Sequence, residues 1–315
     1  MATGHARILD RVATRLKLKQ LRLLVAVGKH GNIQYAAREL NVSQPSATKM
    51  IQDLELDFEV QLFERTNRGV VPTPYGEALI RHGKLIFAQI SSAAQELDDL
   101  HKGSSGRVVI GTLLAASSSL LPLAIEQVLQ DRPRLAIKVV EGTNEVLMPE
   151  LRSGEIDLVA GRLPTYRYRD ELTQERLFDE RILVVAGPHH PLADHKGLEF
   201  DDLKKFSWIL PPVETTLRRQ LDQFFLKLDQ YHPPFALESV SYLTNRSLLR
   251  SREYIGLMPA HVAAQDIAAG LLVRLDLTLP FGTGPVGVSY RQNGKMSPAA
   301  EAMLEALRKV AARIA

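Results

Sequence analysis

Between Ser43 and Gln52 the chain carries side chains that could read a nucleic acid. Ser43 suits a helix N-cap and Pro45 the first turn, so a helix starting there puts Gln44, Ser46, Thr48, Lys49 and Gln52 on an outer face. Ala47, Ile51, Leu54 and Phe58 then form the inner face. A glutamine amide can bond the N6/N7 edge of adenine, a lysine can reach guanine O6/N7, and a threonine can serve a base or a phosphate. An ordinary three-helix bundle would present the same face to solvent, so the pattern leaves both readings open. Arg65 and Arg68 add two cations around Asn67-Arg68-Gly69, a turn between short apolar runs that reads as a β-hairpin. Arginines near such a tip can enter a minor groove or grip phosphate, or form salt bridges on a surface turn.

These groups need a scaffold. Leu18, Leu21, Val25 and Gly28 mark one face of a first helix, which breaks at Gly31-Asn32. Ile33, Ala36, Ala37 and Leu40 mark a short second helix, and Asn41-Val42 turns into the third. Two short helices and a tight turn followed by a hairpin fit a winged helix-turn-helix over residues 17–74. Thr73 caps and Pro74 opens a long helix to about Lys102 (the segment 75–102). In it Gly76, Gly83, Ile90 and Leu97, with Leu79, Ile86, Ala93 and Leu100, make a four-heptad seam. That seam predicts pairing with a second copy, and paired readers bind half-sites related by their two-fold axis. Ahead of this scaffold, residues 1–16 form a basic leader. Its Arg7, Arg11 and Arg15 share a face if helical, as a further phosphate contact or a solvated tail.

After the Lys102–Gly106 linker, strands and helices alternate, which predicts mainly parallel α/β layers. Strands are expected at 107–111, 136–141, 157–160, 181–186, 208–210, near Val240, and at 255–258, 271–275 and 286–290. Helices are expected at 117–130, 145–152, 215–228, 245–252, 260–270 and 298–312.

Composition bounds the function. A chain of 315 residues suggests about two domains. Its 39 basic and 36 acidic residues are unevenly placed: residues 1–50 hold nine basic and two acidic, 51–106 five and nine, and 107–315 twenty-five of each. One end is built to meet a polyanion. Zero cysteines exclude disulfides, thiolate metal sites and cysteine nucleophiles. His189, His190 and His195 lack a carboxylate or thiolate to complete a metal set, and a Pro-rich turn accounts for them. No apolar run or leader suggests a membrane span or a secretory signal, which predicts a cytoplasmic protein. Without a Gly-rich phosphate loop, HExxH or GxSxG, the chain is expected to be neither an enzyme nor a cofactor carrier. A solute-binding protein is the alternative, but it would have no use for residues 17–74.

The chain resembles the LysR-type transcriptional regulators. The resemblance rests on Ala36-Ala37-Arg38-Glu39-Leu40, on Val42 through Lys49, on Leu62-Phe63-Glu64-Arg65 and on Thr73 through Gly76. It continues in Asp157-Leu158-Val159, Gly187 through Leu192 and Ile255-Gly256-Leu257-Met258-Pro259. It implies a winged N-terminal domain, a dimerising linker helix and an α/β effector domain with the two-lobed periplasmic-binding-protein fold. The lobes would be 107–162 plus 268–315, and 163–267. It also implies double-stranded operator DNA, a homodimer or homotetramer and RNA polymerase as partners.

Carried over by position, Gln44, Pro45, Thr48 and Lys49 are the recognition contacts and Arg68 the wing contact. Many relatives have Arg where this chain has Lys49, which lacks the bidentate fork. In the effector cleft the resemblance points to Ser117 and Ser118, which could bind an anion or merely cap the helix. It also points to Arg162 and Leu163 at the first crossover and to Pro211, Val213, Thr215 and Thr216 on the second lobe. Tyr242 and Met258 could be cleft or core. The stretch Val240–Arg250 looks like a branch of regulators of galactose uptake and aromatic-acid catabolism, which implies a carboxylate or sugar-derived catabolite as effector.

Overall fold

The structure, a computed structural model, describes residues 11–67, 69–102, 106–164, 171–227, 235–280, 283–292 and 296–314. It divides into two compact units, the first ending at Ala94 and the second built from nearly all that follows.

The first unit opens with helices α1 (Leu18–His30), α2 (Ile33–Glu39) and α3 (Gln44–Phe58). Their boundaries have local causes. Gly31 closes α1 at φ 60°, and the Asn32 carboxamide oxygen accepts from the N–H groups of Gln34 and Tyr35 at 2.8 and 3.1 Å to start α2. Asn41 turns the chain at φ 52°, and Ser43 Oγ accepts from Ser46 N at 3.4 Å to start α3. Leu21, Leu24, Val27, Ala36, Ala47, Ile51 and Leu54 fill the core between them. Leu18, grouped with Leu21, Val25 and Gly28 on one face, is 53% exposed at the start of the helix, while Leu16 packs against the core.

Strands β1 (Phe63–Thr66) and β2 (Gly69–Pro72) pair antiparallel, with Phe63 opposite Pro72 and Thr66 opposite Gly69. The long helix α4 (Pro74–Lys102) is capped by Thr73, whose Oγ1 accepts from Gly76 N at 3.1 Å and donates to the Gln61 carbonyl at 2.7 Å. The seam on α4 does two jobs. Its first half is used within the unit: a Cβ on Gly76 would lie 2.0 Å from the Leu62 carbonyl oxygen, one on Gly83 3.2 Å from Val25, and Leu79 packs on the core. Ile86, Ile90 and Leu97 are exposed.

Among the described residues, the second unit is built on one sheet of nine strands, and its elements follow the chain in order. They are β3 (Arg107–Thr112), α5 (Leu114–Ser117), α6 (Leu120–Asp131), β4 (Ala136–Glu141), α7 (Asn144–Arg152), β5 (Leu158–Arg162) and β6 (Leu172–Ala186). Next come β7 (Trp208–Leu210), α8 (Thr216–Lys227), β8 (Phe235–Glu238), α9 (Tyr242–Ser251), β9 (Ile255–Pro259) and α10 (Ala260–Ala268). Strands β10 (Val273–Arg274) and β11 (Thr283–Arg291) and helix α11 (Pro298–Ile314) complete it. The spatial order is β4-β3-β5-β11-β6-β9-β7-β8, with β10 against β6.

Pairing is mixed rather than mainly parallel. β3 runs parallel to β4 and β5, and β7 parallel to β8 and β9, whereas β6 and β11 run antiparallel to each other and to their other partners. The reason is the crossover: β6 leaves one lobe, β11 returns to it, and adjacent strands of opposite course must pair antiparallel.

Other expectations shift as well. β6 is one strand of 15 residues, not the short 181–186 segment. The helix expected at Ser117 is interrupted: Ala115 and Ala116 bury a single earlier turn, and α6 begins at Leu120. Val240 lies outside any strand, just before α9, which starts at Tyr242 because Ser241 Oγ caps it through Thr244 N. Leu275, Leu277 and Leu279, expected in the first lobe, bury with Ile182, Trp208 and Leu221 in the second. Leu172, Leu177 and Phe178, expected in the second, pack in the first.

Gly76→Ala should destabilise the first unit by about 1–3 kcal/mol, because the new methyl meets a backbone carbonyl that cannot rotate away. Denaturant melts followed on that unit's transition would read this loss, and an unchanged midpoint would contradict the packing.

Candidate functional site

Two places in the chain assemble groups that could act on another molecule. The first is the outer face of α3. Gln44, Pro45, Lys49 and Gln52 are exposed and Thr48 is half-buried, while Arg65 is exposed on β1. Arg68 lies outside the described residues, as do residues 1–10 of the leader.

Several other cations in this unit are engaged within the chain, although the exposed Lys19 and Arg22 form no ion pair among the described residues. Arg11 pairs with Glu59 at 2.7 Å, Arg15 with Asp57 at 3.9 Å, and Arg38 lies over the Tyr35 ring at 5.8 Å. Lys29 and His30 meet Glu39 at 3.5 and 2.5 Å. The His30 hydrogen bond, helped by Lys29, holds the Glu39 carboxyl below its ordinary range. Lys49 and Arg65 form no such pairs among the described residues. Their charge stays available to a polyanion, beside free amide and hydroxyl groups that can discriminate base edges.

The second place is a cleft of about 700 Å³ between the lobes of the second unit. The loops after β3 and β4 bring Ser117, Ser118, Asn144 and Glu145 from one lobe. Pro211, Thr215, Thr216, Tyr242 and Asn245 come from the other, and Arg162 lies at the end of β5. The Arg162 residue is only 8% exposed; burial pulls its guanidinium below the ordinary arginine value, and the charges of Glu180 and Asp179 oppose that shift.

Several lining hydroxyls are already occupied. Ser117 Oγ donates to the Leu114 carbonyl at 3.1 Å, and Thr215 Oγ1 donates to the Pro212 carbonyl at 2.8 Å and accepts from Arg218 N. Thr216 Oγ1 accepts from Arg219 at 3.4 Å. Tyr242 donates its hydroxyl to Asp266 at 2.6 Å, under the Arg246 guanidinium; burial first, then the Asp266 carboxylate, raises its pKa. Neither Ser117 nor Ser118 caps a helix through its side chain.

Three expected cleft residues lie elsewhere. Met258 is buried in the core with Val185, Ile209 and Leu249, because Leu257 and Pro259 take the cleft face and the strand alternates. Leu163 is buried beside Arg162, its N–H bonded to the Pro285 carbonyl, and does not line the cleft. Val213 is exposed and off the lining.

Sequence reasoning missed Asn144, Glu145 and Asn245. A signal existed for the first two. Gly142-Thr143-Asn144 follows a parallel strand, and ligands in α/β sheets gather at loops after strand carboxyl ends. It also missed Glu180, 3% exposed on β6 and in contact with the His261 imidazole from α10. Burial drives the Glu180 pKa up, against the opposing pull of His261 and Arg162. His190, one of the histidines weighed as a metal ligand, accepts from Leu192 N and packs on Phe206. Among the described residues, no group of three or more candidate ligands gathers.

Comparison with known proteins covers the regions that contain both places. A family model described as "Bacterial regulatory helix-turn-helix protein, lysR family" matches residues 18–77, and one described as "LysR substrate binding domain" matches residues 101–312. The chain is 33% identical over 295 residues to the HTH-type transcriptional regulator GbpR of Azospirillum brasilense, covering 93% of this chain and 86% of that protein. It is 29% identical over 303 residues to the HTH-type transcriptional regulator PcaQ of Agrobacterium fabrum, covering 96% and 97%. The crystal structure of CbnR, a LysR family transcriptional regulator, shares the fold with a TM-score of 0.63, at 20% identity over 94% of this chain and 99% of that one.

The buried Glu180 sets a pH dependence. Its raised folded pKa means the folded state holds a proton that the unfolded chain releases, so this contribution is present at low pH and lost as pH rises through the folded value. Glu180→Gln should therefore melt higher than wild type at neutral pH, and the gap should close below the ordinary carboxylate value of 4.5. Thermal melts across pH would check this; a gap that grows toward acid would contradict it.

Proposed function

The chain belongs to the LysR family of DNA-binding transcriptional regulators with an effector-binding domain, and from that premise we propose how its own residues divide the work. The outer face of α3 reads operator DNA in the major groove, with Gln44, Thr48 and Lys49 as the contacts and Pro45 shaping the turn that presents them. Arg65 and Arg68 grip the flanking backbone from the hairpin. The observation that supports this reading best is that Lys49 and Arg65 stand exposed and without an ion pair among the described residues, with the Gln44 amide exposed on the same helix as Lys49.

The cleft takes a small-molecule effector, a carboxylate or sugar-derived catabolite. Ser118, Arg162, Thr216 and Tyr242 stand among its contacts. Residues 75–102 carry the subunit contact through the exposed Ile86, Ile90 and Leu97, giving a homodimer that can assemble further to a homotetramer. Such a protein works in the cytoplasm, where promoter DNA and RNA polymerase are its onward partners. The family match over residues 18–77 leaves the solute-binding alternative without support.

A duplex selected from a random library provides the test. Lys49→Ala should weaken its binding in a gel-shift titration by about 1–3 kcal/mol, if the ammonium reads a base, while the thermal melt is unchanged. The wild-type log K should fall steeply with log salt, and Lys49→Ala should lower that slope by about one if the ammonium meets a phosphate instead. Unaltered affinity together with an unaltered slope would remove Lys49 from the interface.

A further inference from the structure

Five residues that line the cleft each carry a buried polar atom with no hydrogen-bond partner among the described residues: Ser118 Oγ, Asn144 Oδ1, Glu145 Oε2, Arg162 Nη2 and Asn245 Oδ1. Asn144 and Arg162 are themselves more than nine-tenths buried, at 7% and 8% exposure. Such atoms are costly to bury unless something completes them.

Their donor or acceptor character is fixed by their other bonds. Asn144 Nδ2 donates to the Arg162 carbonyl at 3.1 Å, and Asn245 Nδ2 donates to the Ser239 carbonyl at 3.3 Å, so in each amide the open atom is the oxygen. Glu145 turns its other oxygen toward Arg219 across the cleft at 3.8 Å. The cleft therefore offers three acceptors, one cationic donor and one hydroxyl able to play either part.

A matching ligand brings an anion for Arg162 and several O–H groups for the three acceptors. A neutral sugar offers the open Nη2 of the buried guanidinium no charged acceptor, and an unsubstituted carboxylate leaves the three acceptors open. An ammonium group answers Glu145, but it meets neutral amides at the other two acceptors. We propose that the cleft takes a small carboxylate carrying several hydroxyl groups, its carboxylate on Arg162 and its hydroxyls on Asn144, Glu145 and Asn245. Ser118 supplies the remaining hydrogen bond. This rests on the reading of the cleft as the effector site and narrows it: neither carboxylate nor hydroxyl groups suffice alone. The volume of about 700 Å³ admits a six-carbon sugar acid or a phenolic acid.

Calorimetry on the full chain separates the two sources. D-gluconate and 3,4-dihydroxybenzoate are each titrated against their counterparts: D-glucose and hexanoate for the first, catechol and benzoate for the second, with glutamate as the ammonium-bearing acid. One of the two hydroxy acids should saturate the protein and bind at least about tenfold tighter than both of its counterparts and glutamate. Ser118→Ala removes a hydroxyl with no hydrogen-bond partner among the described residues, so it should fold normally and still weaken that acid severalfold. Arg162→Gln should abolish binding; if its burial prevents folding, the Ser118→Ala result decides. Failure of both hydroxy acids, equal binding of a counterpart or glutamate, or an unaffected Ser118→Ala variant would overturn the proposal. A gel shift on the same preparation keeps the two readings apart: DNA binding without acid binding overturns the ligand class alone, and acid binding without DNA binding overturns the regulator reading.

Discussion

The antiparallel pairing of β6 with β11 is the constraint on which the second unit depends. Leu172 through Arg181 pair with β11, and the same strand then pairs with β9 from Ile182 onward, so one continuous strand belongs to both lobes. Arg162 reaches along this junction until a Cβ on Gly284 would lie 2.0 Å from its Nη1. Glycine at that position is what lets a buried guanidinium lie there. Glu180, directly opposite Gly284 in the ladder, and Asp179 keep the charge tolerable in a site that would otherwise favour its loss. Charge, cleft floor and crossover thus meet in a few residues, and a ligand that engages Arg162 touches the strands connecting the lobes.

The first unit obeys a different economy. Its basic excess is partly absorbed by internal ion pairs, and exposed pairs of this kind contribute little stability. Their consequence is partial availability: Arg11, Arg15, Lys29 and Arg38 are occupied, while Lys19, Arg22, Lys49 and Arg65 form no ion pair among the described residues. The net charge of +3 therefore says little, and the placement of free cations says more.

The first unit was the most legible in the sequence, because its signals are local. Asn41, Ser43 and Thr73 mark turns and caps through their own short-range bonds, and three- and four-residue spacing finds the inner face of α3. The expected seam on α4 was real as a pattern, yet Gly76 and Gly83 serve contacts inside the unit that heptad spacing cannot distinguish from contacts with a copy. β6 was shortened because Glu175, Arg176, Asp179 and Glu180 interrupt the apolar signal. Those side chains are carried by pairing to β11, a partner more than a hundred residues away. Met258 could be cleft or core from the sequence, since nothing local says which face of β9 is the cleft; the structure puts it in the core. The open atoms of Asn144 and Asn245 were invisible for the same reason: they exist only because Arg162 and Ser239 carbonyls occupy the other end of each amide.

The account stands or falls on whether the α3 face reads sequence rather than charge. The most direct measurement is the affinity of the full chain for a selected duplex against an unrelated duplex of equal length, at one fixed salt near physiological. A specific reader should prefer its selected duplex by about a thousandfold or more. Equal affinity for both would mean that the free cations only attract phosphate, and would contradict the assignment of α3 as the reading helix.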